Sequence, residues 1–327
     1  MNFVRKPDYS DVLHPGVAVD LAANMAPLVR GKGDPTAATT DGVSWLSFQP
    51  SSTGPVTIAL VHPSSPLHPG AIRYHVWAHG DDNAIQAVVQ RMPVLLGVDE
   101  AALAGWEAFD EVLAQTAKLL PERVVDARRR HPGMRLMATG QLVDELLTVV
   151  LEQKVTQHQA RATWSWLAKT YGLASPAGDP APKLAPRPET ILGIASWQWH
   201  AGWVQPFMAR TLRAVASRAS ALHRLANKPL AEIDRGLNSL PGIGPWTVAE
   251  TLQRTHGAAD YVAVGDYHLA HHVGEALAGK RTDDAGMLEL LEPWAGHRQR
   301  IVRLMYASGI RFSRFGPRMA ATDFRDR

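Results

Sequence analysis

The fold is decided by one stretch, Leu240-Pro241-Gly242-Ile243-Gly244-Pro245-Trp246-Thr247. It joins two helical patterns, from Glu232 to Ser239 and from Thr247 to His256. Glycine permits positive φ and close approach of another backbone, and proline favours the first residue of a helix. The pattern predicts two helices with a tight turn between them. The free N–H groups and the positive dipole end of the second helix then suit a DNA phosphate. The alternative is a turn that binds nothing.

A single carboxylate follows this hairpin. The apolar run Tyr261 to Val264 ends in Gly265-Asp266 and precedes another helical pattern. By itself, Asp266 is typical of a helix N-cap, which is a common role for aspartate. Asp266 also lies twenty residues after Trp246, the residue near the end of the hairpin motif.

Together with two further stretches, these motifs resemble the helix-hairpin-helix superfamily of DNA glycosylases. Val150 to Thr156 is similar to the end of a helix that precedes the hairpin in that superfamily, and Leu291 to Arg298 is similar to its final Pro-Trp segment. Within the superfamily, the chain is similar to the DNA-3-methyladenine glycosylase II family. The resemblance implies a mainly α fold, with a helical glycosylase core preceded by a small α+β domain built on an antiparallel sheet.

Composition sets the outer limits. A chain of 327 residues suggests about two domains. The net charge of +3 and the pI of about 9.2 permit a nucleic-acid partner. The chain has no cysteine, which excludes disulfides, thiol nucleophiles and cysteine-held metal clusters. The start resembles no secretory signal and the apolar runs are short. We therefore expect a cytoplasmic, nucleoid-associated, bacterial protein with no membrane partner.

The pattern of hydrophobic residues predicts the domain organisation. Residues 1–98 contain alternating strand patterns at 43–48, 56–61 and 71–78, followed by a helix from Asp81, and they form the α+β domain. Residues 99–312 form the helical core, with the hairpin at 240–246. Within this core, Thr139 is expected to be the N-cap of the helix that contains Leu142 to Leu151. Residues 173–188 hold five prolines and are typical of a surface linker or insertion. Residues 313–327 form a basic C-terminal tail.

The resemblance implies a reaction and a partner. Asp266 is expected to be the catalytic carboxylate of a monofunctional glycosylase, which hydrolyses the N-glycosidic bond of damaged, alkylated purines in duplex DNA. The positions at which relatives carry a lyase lysine hold Trp246 and, approximately, Arg235, so no lyase activity is expected. No cofactor is expected, and the protein is expected to be a monomer. Two alternatives remain: a glycosylase for deaminated or oxidised bases, and a DNA-binding protein that does no chemistry.

The resemblance also assigns the remaining site residues. Trp246 is expected to stack on the base, with Glu250 and Arg303 at positions where relatives can have aromatic residues. Glu250 could accept hydrogen bonds from a base or pair with Arg303, including as a plain surface pair. In the Trp-rich stretch 196–203, Trp197 and Trp203 suit the core, whereas Trp199 could line the base pocket. Two groups of residues are expected to contact DNA. The first lies in the hairpin: Gly242, Ile243, Gly244 and Thr247. The second is Gln153 and Lys154, either of which could fill the gap left by the flipped base.

Metal binding is expected only through backbone groups. His268 and His272 share a helix face at a spacing that can bind zinc, but no third ligand is evident in the sequence. No side-chain metal site is therefore predicted. The carbonyl groups of the hairpin could hold a monovalent cation that bridges to a phosphate, as the resemblance implies.

Overall fold

The computed structural model describes residues 3–50 and 53–312, so the predicted basic tail lies outside the described residues. A small antiparallel sheet is followed by a helical region, and the predicted fold class is confirmed. The strands are β1 (Tyr9–Leu13), β2 (Ala37–Thr40), β3 (Val43–Phe48), β4 (Val56–Val61) and β5 (Ile72–Trp77). The helices of the N-terminal part are α1 (Leu21–Met25) and α2 (Asp82–Leu96).

The helical region contains α3 (Glu100–Thr116), α4 (Glu122–Arg130), α5 (Leu142–Leu151), α6 (Gln157–Tyr171), α7 (Pro188–Gly193), α8 (Ser196–Ala201), α9 (Pro206–Ser217), α10 (Ala219–Leu225), α11 (Leu230–Asn238), α12 (Pro245–Thr255), α13 (Leu269–Ala278), α14 (Asp284–Leu290) and α15 (Arg298–Ala307). The described residues include no helix long and apolar enough to cross a membrane.

The sheet has the order β1-β5-β4-β3-β2, with every neighbouring pair antiparallel. Three strands, β3, β4 and β5, lie where the sequence pattern predicted them, whereas β1 and β2 were not predicted. Both are edge strands, and in β1 the three central residues are exposed, so their sequences carry little hydrophobic pattern. On one face, Ile58, Leu60 and Val76 pack against α2. Asp81 begins α2 as predicted, because its side chain accepts a hydrogen bond from the Ala84 amide.

The proline-rich segment 173–188 is packed, so its prediction as a surface linker is wrong. It covers the other face of the sheet, where Ala177 is buried with Val43, Ala59 and Trp77. Two hydrogen bonds hold the segment there. The hydroxyl oxygens of Thr57 and Ser175 lie 2.8 Å apart, and the Lys183 amide donates to the Pro35 carbonyl. Because both faces are covered, β4 is buried at five of its six residues.

Helix α5 is the centre of the helical region. Every residue except Asp144 is buried, and α5 packs against α9 and α12. Thr139 is not its N-cap, because Gln141 holds that position and the Thr139 hydroxyl accepts a hydrogen bond from the Gln141 amide instead. Residues 188–225 form four short helices, α7 to α10. One of the turns between them contains Trp203, which has a positive φ of 64°.

Buried ion pairs join the sheet domain to the helical region. Glu145 on α5 pairs with Arg30, which precedes the sheet's second strand, and its carboxylate lies 3.5 Å from Arg254 on α12. Arg254 also donates to the Pro27 carbonyl at 2.9 Å. Breaking a buried pair leaves an uncompensated charge, which is strongly destabilising. These contacts therefore fix α5 and α12, which carry the candidate site, against the N-terminal part.

Asp144, a second acidic residue at this junction, should make the stability of the protein depend on pH. Asp144 lines a cavity of about 160 Å³ between the sheet and the helices, and desolvation of its half-buried carboxyl group raises its pKa from 3.8 to about 7. The folded protein therefore favours the neutral acid, and the free energy of unfolding falls as the pH rises from about 3.8 to about 7. We expect Asp144→Asn to be more stable than the native protein at about pH 8, by up to about 4 kcal/mol, and similar to it at about pH 4.

Thermal unfolding at both pH values measures this difference. The exposed Asp82 on α2 provides the control, since Asp82→Asn should keep the native pH dependence. A pH profile of Asp144→Asn that runs parallel to the native profile would contradict the assignment.

Candidate functional site

The hairpin forms between α11 and α12 as predicted. Gly242 has a φ of +85°, and a Cβ at this position would lie 2.2 Å from the Thr211 hydroxyl on α9. Ile243 is buried between the helices, while Gly244 is extended and precedes Pro245, the first residue of α12. The first N–H groups of α12 have no partner within the helix. The turn therefore presents them at the protein surface, where Gly242 and Pro245 are exposed.

Gln153 binds the hairpin through its side chain. Its side-chain amide donates to the Gly242 carbonyl and to the Thr247 hydroxyl, both at 2.8 Å. Thr247 is 2% exposed, and its enclosed hydroxyl already accepts a hydrogen bond, so its backbone amide is the group that faces the helix start; its contact with DNA stays a prediction. The Gly242 carbonyl has one acceptor position in use, and a monovalent cation at the hairpin stays a prediction.

Lys154 stands at the tip of the turn that contains Gln153. Its side chain is exposed and its φ is +54°, which is uncommon for a residue with a side chain. Since both donors of Gln153 serve the hairpin, Lys154 is the side chain of this turn that is free to enter a gap in DNA. Its role there stays a prediction.

The two glycines of the hairpin make a matched pair of variants. Gly242→Ala forces a side chain into a left-handed conformation and against Thr211, whereas a Cβ on Gly244 meets nothing within 4 Å. We expect Gly242→Ala to lose at least about 1 kcal/mol of unfolding free energy, and Gly244→Ala to lose little. Urea unfolding measures both. Equal losses from the two substitutions would show that the turn does not have this geometry.

Asp266 caps α13 with one of its two carboxylate oxygens. Oδ1 accepts hydrogen bonds from the amides of His268 and Leu269, each at 2.8 Å. Oδ2 accepts none from the described residues, and the side chain is partly exposed. Capping and a chemical role are therefore compatible, because the helix N-terminus fixes one oxygen and leaves the other free. Negative charge is also favoured at this end of a helix.

An aromatic group that the sequence analysis missed lies beside Asp266. The His272 Nδ1 and Tyr306 Oη atoms are 3.2 Å apart, and the His272 ring stacks on Phe312 and on His268. Tyr306 is 50% exposed. Burial of its hydroxyl and the charges of Asp266 and Glu250 raise its pKa to about 12. Tyr306 follows Arg303 by three residues, and this spacing on one helix face could have revealed it.

Trp246 and Glu250 stand one turn apart on α12, so they share a face. Trp246 packs against the apolar cluster that contains Leu269, near the start of α13. Glu250 does not pair with Arg303. It accepts a hydrogen bond at 2.6 Å from Arg254, and Arg303 donates to the Ala23 carbonyl instead. The idea of a Glu250–Arg303 pair is therefore wrong, because each group has another partner; their roles as pocket residues stay predictions.

The tryptophans of the 196–203 stretch differ from expectation. Trp199 is 3% exposed and packs edge-on against Trp166 in the cluster around α5 and α9. That cluster does not contain Trp246, so the structure does not bring Trp199 together with the other predicted pocket residue. Trp203 is buried as predicted, whereas Trp197 is 70% exposed and is not a core residue.

Metal ligands are not gathered at this site. The His268 and His272 rings stack with centroids 5.6 Å apart. Within residues 3–50 and 53–312, no three histidine, aspartate or glutamate side chains are grouped so as to hold a metal ion.

No protein-family profile and no curated protein matches the sequence. Solved structures do match its fold. A 3-methyladenine DNA glycosylase from Archaeoglobus fulgidus superposes with a TM-score of 0.71 at 16% identity, over 91% of this chain and 98% of that one. The fold of this chain is that of the DNA glycosylases. An 8-oxoguanine glycosylase/lyase from Clostridium acetobutylicum, in its apo form, gives a TM-score of 0.67 at 9% identity, over 94% of this chain and all of that one.

The glycosylase fold extends to the N-terminal sheet as well as the helices, because these superpositions cover more than nine-tenths of the chain. The Clostridium enzyme bound to double-stranded DNA with cytosine opposite 8-oxoG also matches, with a TM-score of 0.65 at 8% identity, over 94% of this chain and 98% of that one.

Proposed function

We propose that this protein is a monofunctional DNA glycosylase of base excision repair, with Asp266 as its catalytic carboxylate. The observation that carries the proposal is the free Oδ2 atom of Asp266. It lies in a partly exposed aromatic site on a chain that also presents an anion-binding hairpin. The glycosylases with the same fold, one of them bound to double-stranded DNA, support duplex DNA as the partner.

The hairpin and the Lys154 turn would hold the DNA. The N–H groups at the start of α12 bind a backbone phosphate, with the helix dipole behind them. The nucleotide must leave the stack before chemistry begins, which costs a few kcal/mol. Lys154, at an exposed turn tip next to the hairpin, enters the gap. Because Gln153 joins this turn to the Gly242 carbonyl, the phosphate contact and the inserted side chain keep a fixed separation.

Asp266 would act on the sugar. Cleavage of the glycosidic bond builds positive charge on the deoxyribose, as in glycoside hydrolysis. A carboxylate fixed by two backbone amides is preorganised to stabilise that charge. Its second oxygen faces the sugar or positions the attacking water. A purine alkylated on a ring nitrogen is already cationic and leaves without a strong acid, so one carboxylate is sufficient.

We infer that the base lies between Trp246 and Tyr306, with Glu250 at the edge of the pocket. A cationic alkylated purine suits this environment because aromatic faces and a carboxylate both attract positive charge. Relatives of known structure are named for 3-methyladenine and for 8-oxoguanine, so oxidised bases are the second candidate. A panel of duplexes with alkylated, deaminated and oxidised bases separates them. Release of only oxidised or deaminated bases would overturn the alkylpurine assignment.

Replacing the carboxylate tests the reaction itself. Asp266→Asn keeps an oxygen that can cap α13 but removes the negative charge. We therefore expect base release to fall by at least about 100-fold, while affinity for the same duplex persists. Asp81→Asn is the matched control, because Asp81 caps α2 through the same kind of hydrogen bond, with the Ala84 amide. Base release by Asp266→Asn at the native rate would eliminate Asp266 as the catalyst.

The same assay addresses the non-catalytic alternative. A protein that binds damaged duplex DNA tightly and releases no base from any member of the panel would be a DNA-binding protein on this scaffold. The binding curves should weaken steeply as salt rises, since phosphate contacts release counterions.

We also expect no strand cleavage. The two positions at which relatives carry the lyase lysine hold Trp246 and, approximately, Arg235, and neither side chain forms a Schiff base with the sugar. Borohydride added during turnover should therefore trap no covalent protein–DNA adduct, although free base accumulates. A trapped adduct would contradict this expectation. Repeating the reaction with Lys154→Ala would then show whether the exposed lysine of the neighbouring turn forms it.

A further inference from the structure

Three arginines surround a buried tryptophan away from Asp266. Trp106 on α3 is 3% exposed. The Cζ atoms of Arg128, Arg300 and Arg135 lie 4.8, 5.1 and 5.9 Å from its ring centroid. We refer to these four residues and Asp110 as the Trp106 cluster. Each contact is a favourable cation–π interaction, but the three guanidinium groups repel one another.

The charges of the Trp106 cluster do not balance. Asp110 binds Arg128 through two hydrogen bonds, at 2.6 and 2.8 Å. In the part of the chain that the structure describes, no carboxylate lies within 4.0 Å of Arg135 or Arg300, although these residues are only 5% and 6% exposed. The cluster therefore carries two excess positive charges. Burying a charge without a counter-ion is costly.

Both unpaired arginines keep donors unused. Arg135 directs Nη1 to the carbonyls of Pro132 and Met134, and Arg300 directs Nη1 to the ring of His297. Their Nε atoms are buried without a partner among the described residues. Their Nη2 atoms also have no partner there, yet they retain contact with solvent. Burial lowers the pKa of each to about 10, helped by the charge of Arg128, so both remain charged at neutral pH.

We infer that the Trp106 cluster binds a phosphate group. A phosphate monoester supplies up to two negative charges and several acceptor oxygens, which match two excess charges and the unused guanidinium donors. Arg300 precedes Tyr306 by six residues on α15, which is about 9 Å along the helix, so this site is separate from the base pocket. The phosphate could belong to a free ion or nucleotide, or to a DNA backbone, whose phosphodiesters carry one negative charge each. The inference does not depend on the proposed glycosylase activity.

Calorimetric titration of the full chain with inorganic phosphate, at an ionic strength held constant with sodium chloride, tests the site. We expect phosphate to bind and to raise the melting temperature above that in chloride alone. Arg300→Gln should weaken binding by about tenfold or more, because it removes a charged hydrogen-bond donor. That substitution also removes a buried side chain and can impair folding, so a second variant is needed.

Asp110→Asn is that variant. It keeps all three arginines, releases Arg128 from its carboxylate and leaves three excess charges, so phosphate should bind several-fold more tightly. Glu111→Gln is the matched control, because this substitution removes the same charge from α3. Glu111 is exposed and forms no ion pair within the described residues. The inference is overturned if native protein responds to phosphate no more than to chloride, or if Asp110→Asn binds phosphate no more tightly than Glu111→Gln.

Competition identifies the source of the phosphate. If an undamaged duplex displaces bound phosphate and binds Asp110→Asn more tightly than Glu111→Gln, the natural ligand is a DNA backbone. If the duplex and phosphate bind independently, the ligand is a free phosphate or a nucleotide. Either result supports the Trp106 cluster as the site.

Discussion

The side-chain amide of Gln153 is the contact on which the geometry of the site depends. Its two hydrogen bonds join the turn after α5 to the Gly242 carbonyl and the first turn of α12. Helix α12 also carries Trp246 and Glu250, so Gln153 links the turn of the exposed Lys154 both to the hairpin and to the helix that holds the two predicted pocket residues. Buried α5 then transmits this arrangement to the sheet domain through Glu145 and its two arginine partners.

Charge is distributed unevenly around this framework. Where the C-terminal half of α12 meets the sheet domain, the charged groups are paired, because Arg254 and Arg30 contact Glu250, Glu145 and Glu152. Around Trp106 they are not. The first set of ion pairs stabilises the fold, whereas the Trp106 cluster keeps an excess of positive charge. This cluster is visible only in three dimensions, because its arginines come from α4, α15 and the segment between α4 and α5.

Much of the fold was readable from the residues, and the failures have physical reasons. The hairpin, α12 and the strands with clear alternation were predicted because local conformation and burial favour the same structure there. The edge strands β1 and β2 lack that pattern, and proline content hid the packing of 173–188. At the site, Asp266 was singled out because the resemblance to the glycosylase superfamily implies a catalytic aspartate at this distance from the hairpin. Tyr306 and the burial of Thr247 and Trp199 depend on which elements meet, which no single stretch of sequence contains.

The packing of 173–188 also affects the order in which the chain can assemble. The sheet is encoded before residue 78, yet the layer over its second face comes from beyond the next five helices. During synthesis from the N-terminus, the inward-facing Trp77 and Val43 must wait for Ala177 before they are shielded from water. The packing of the N-terminal region is therefore completed only after more than half of the polypeptide has been made.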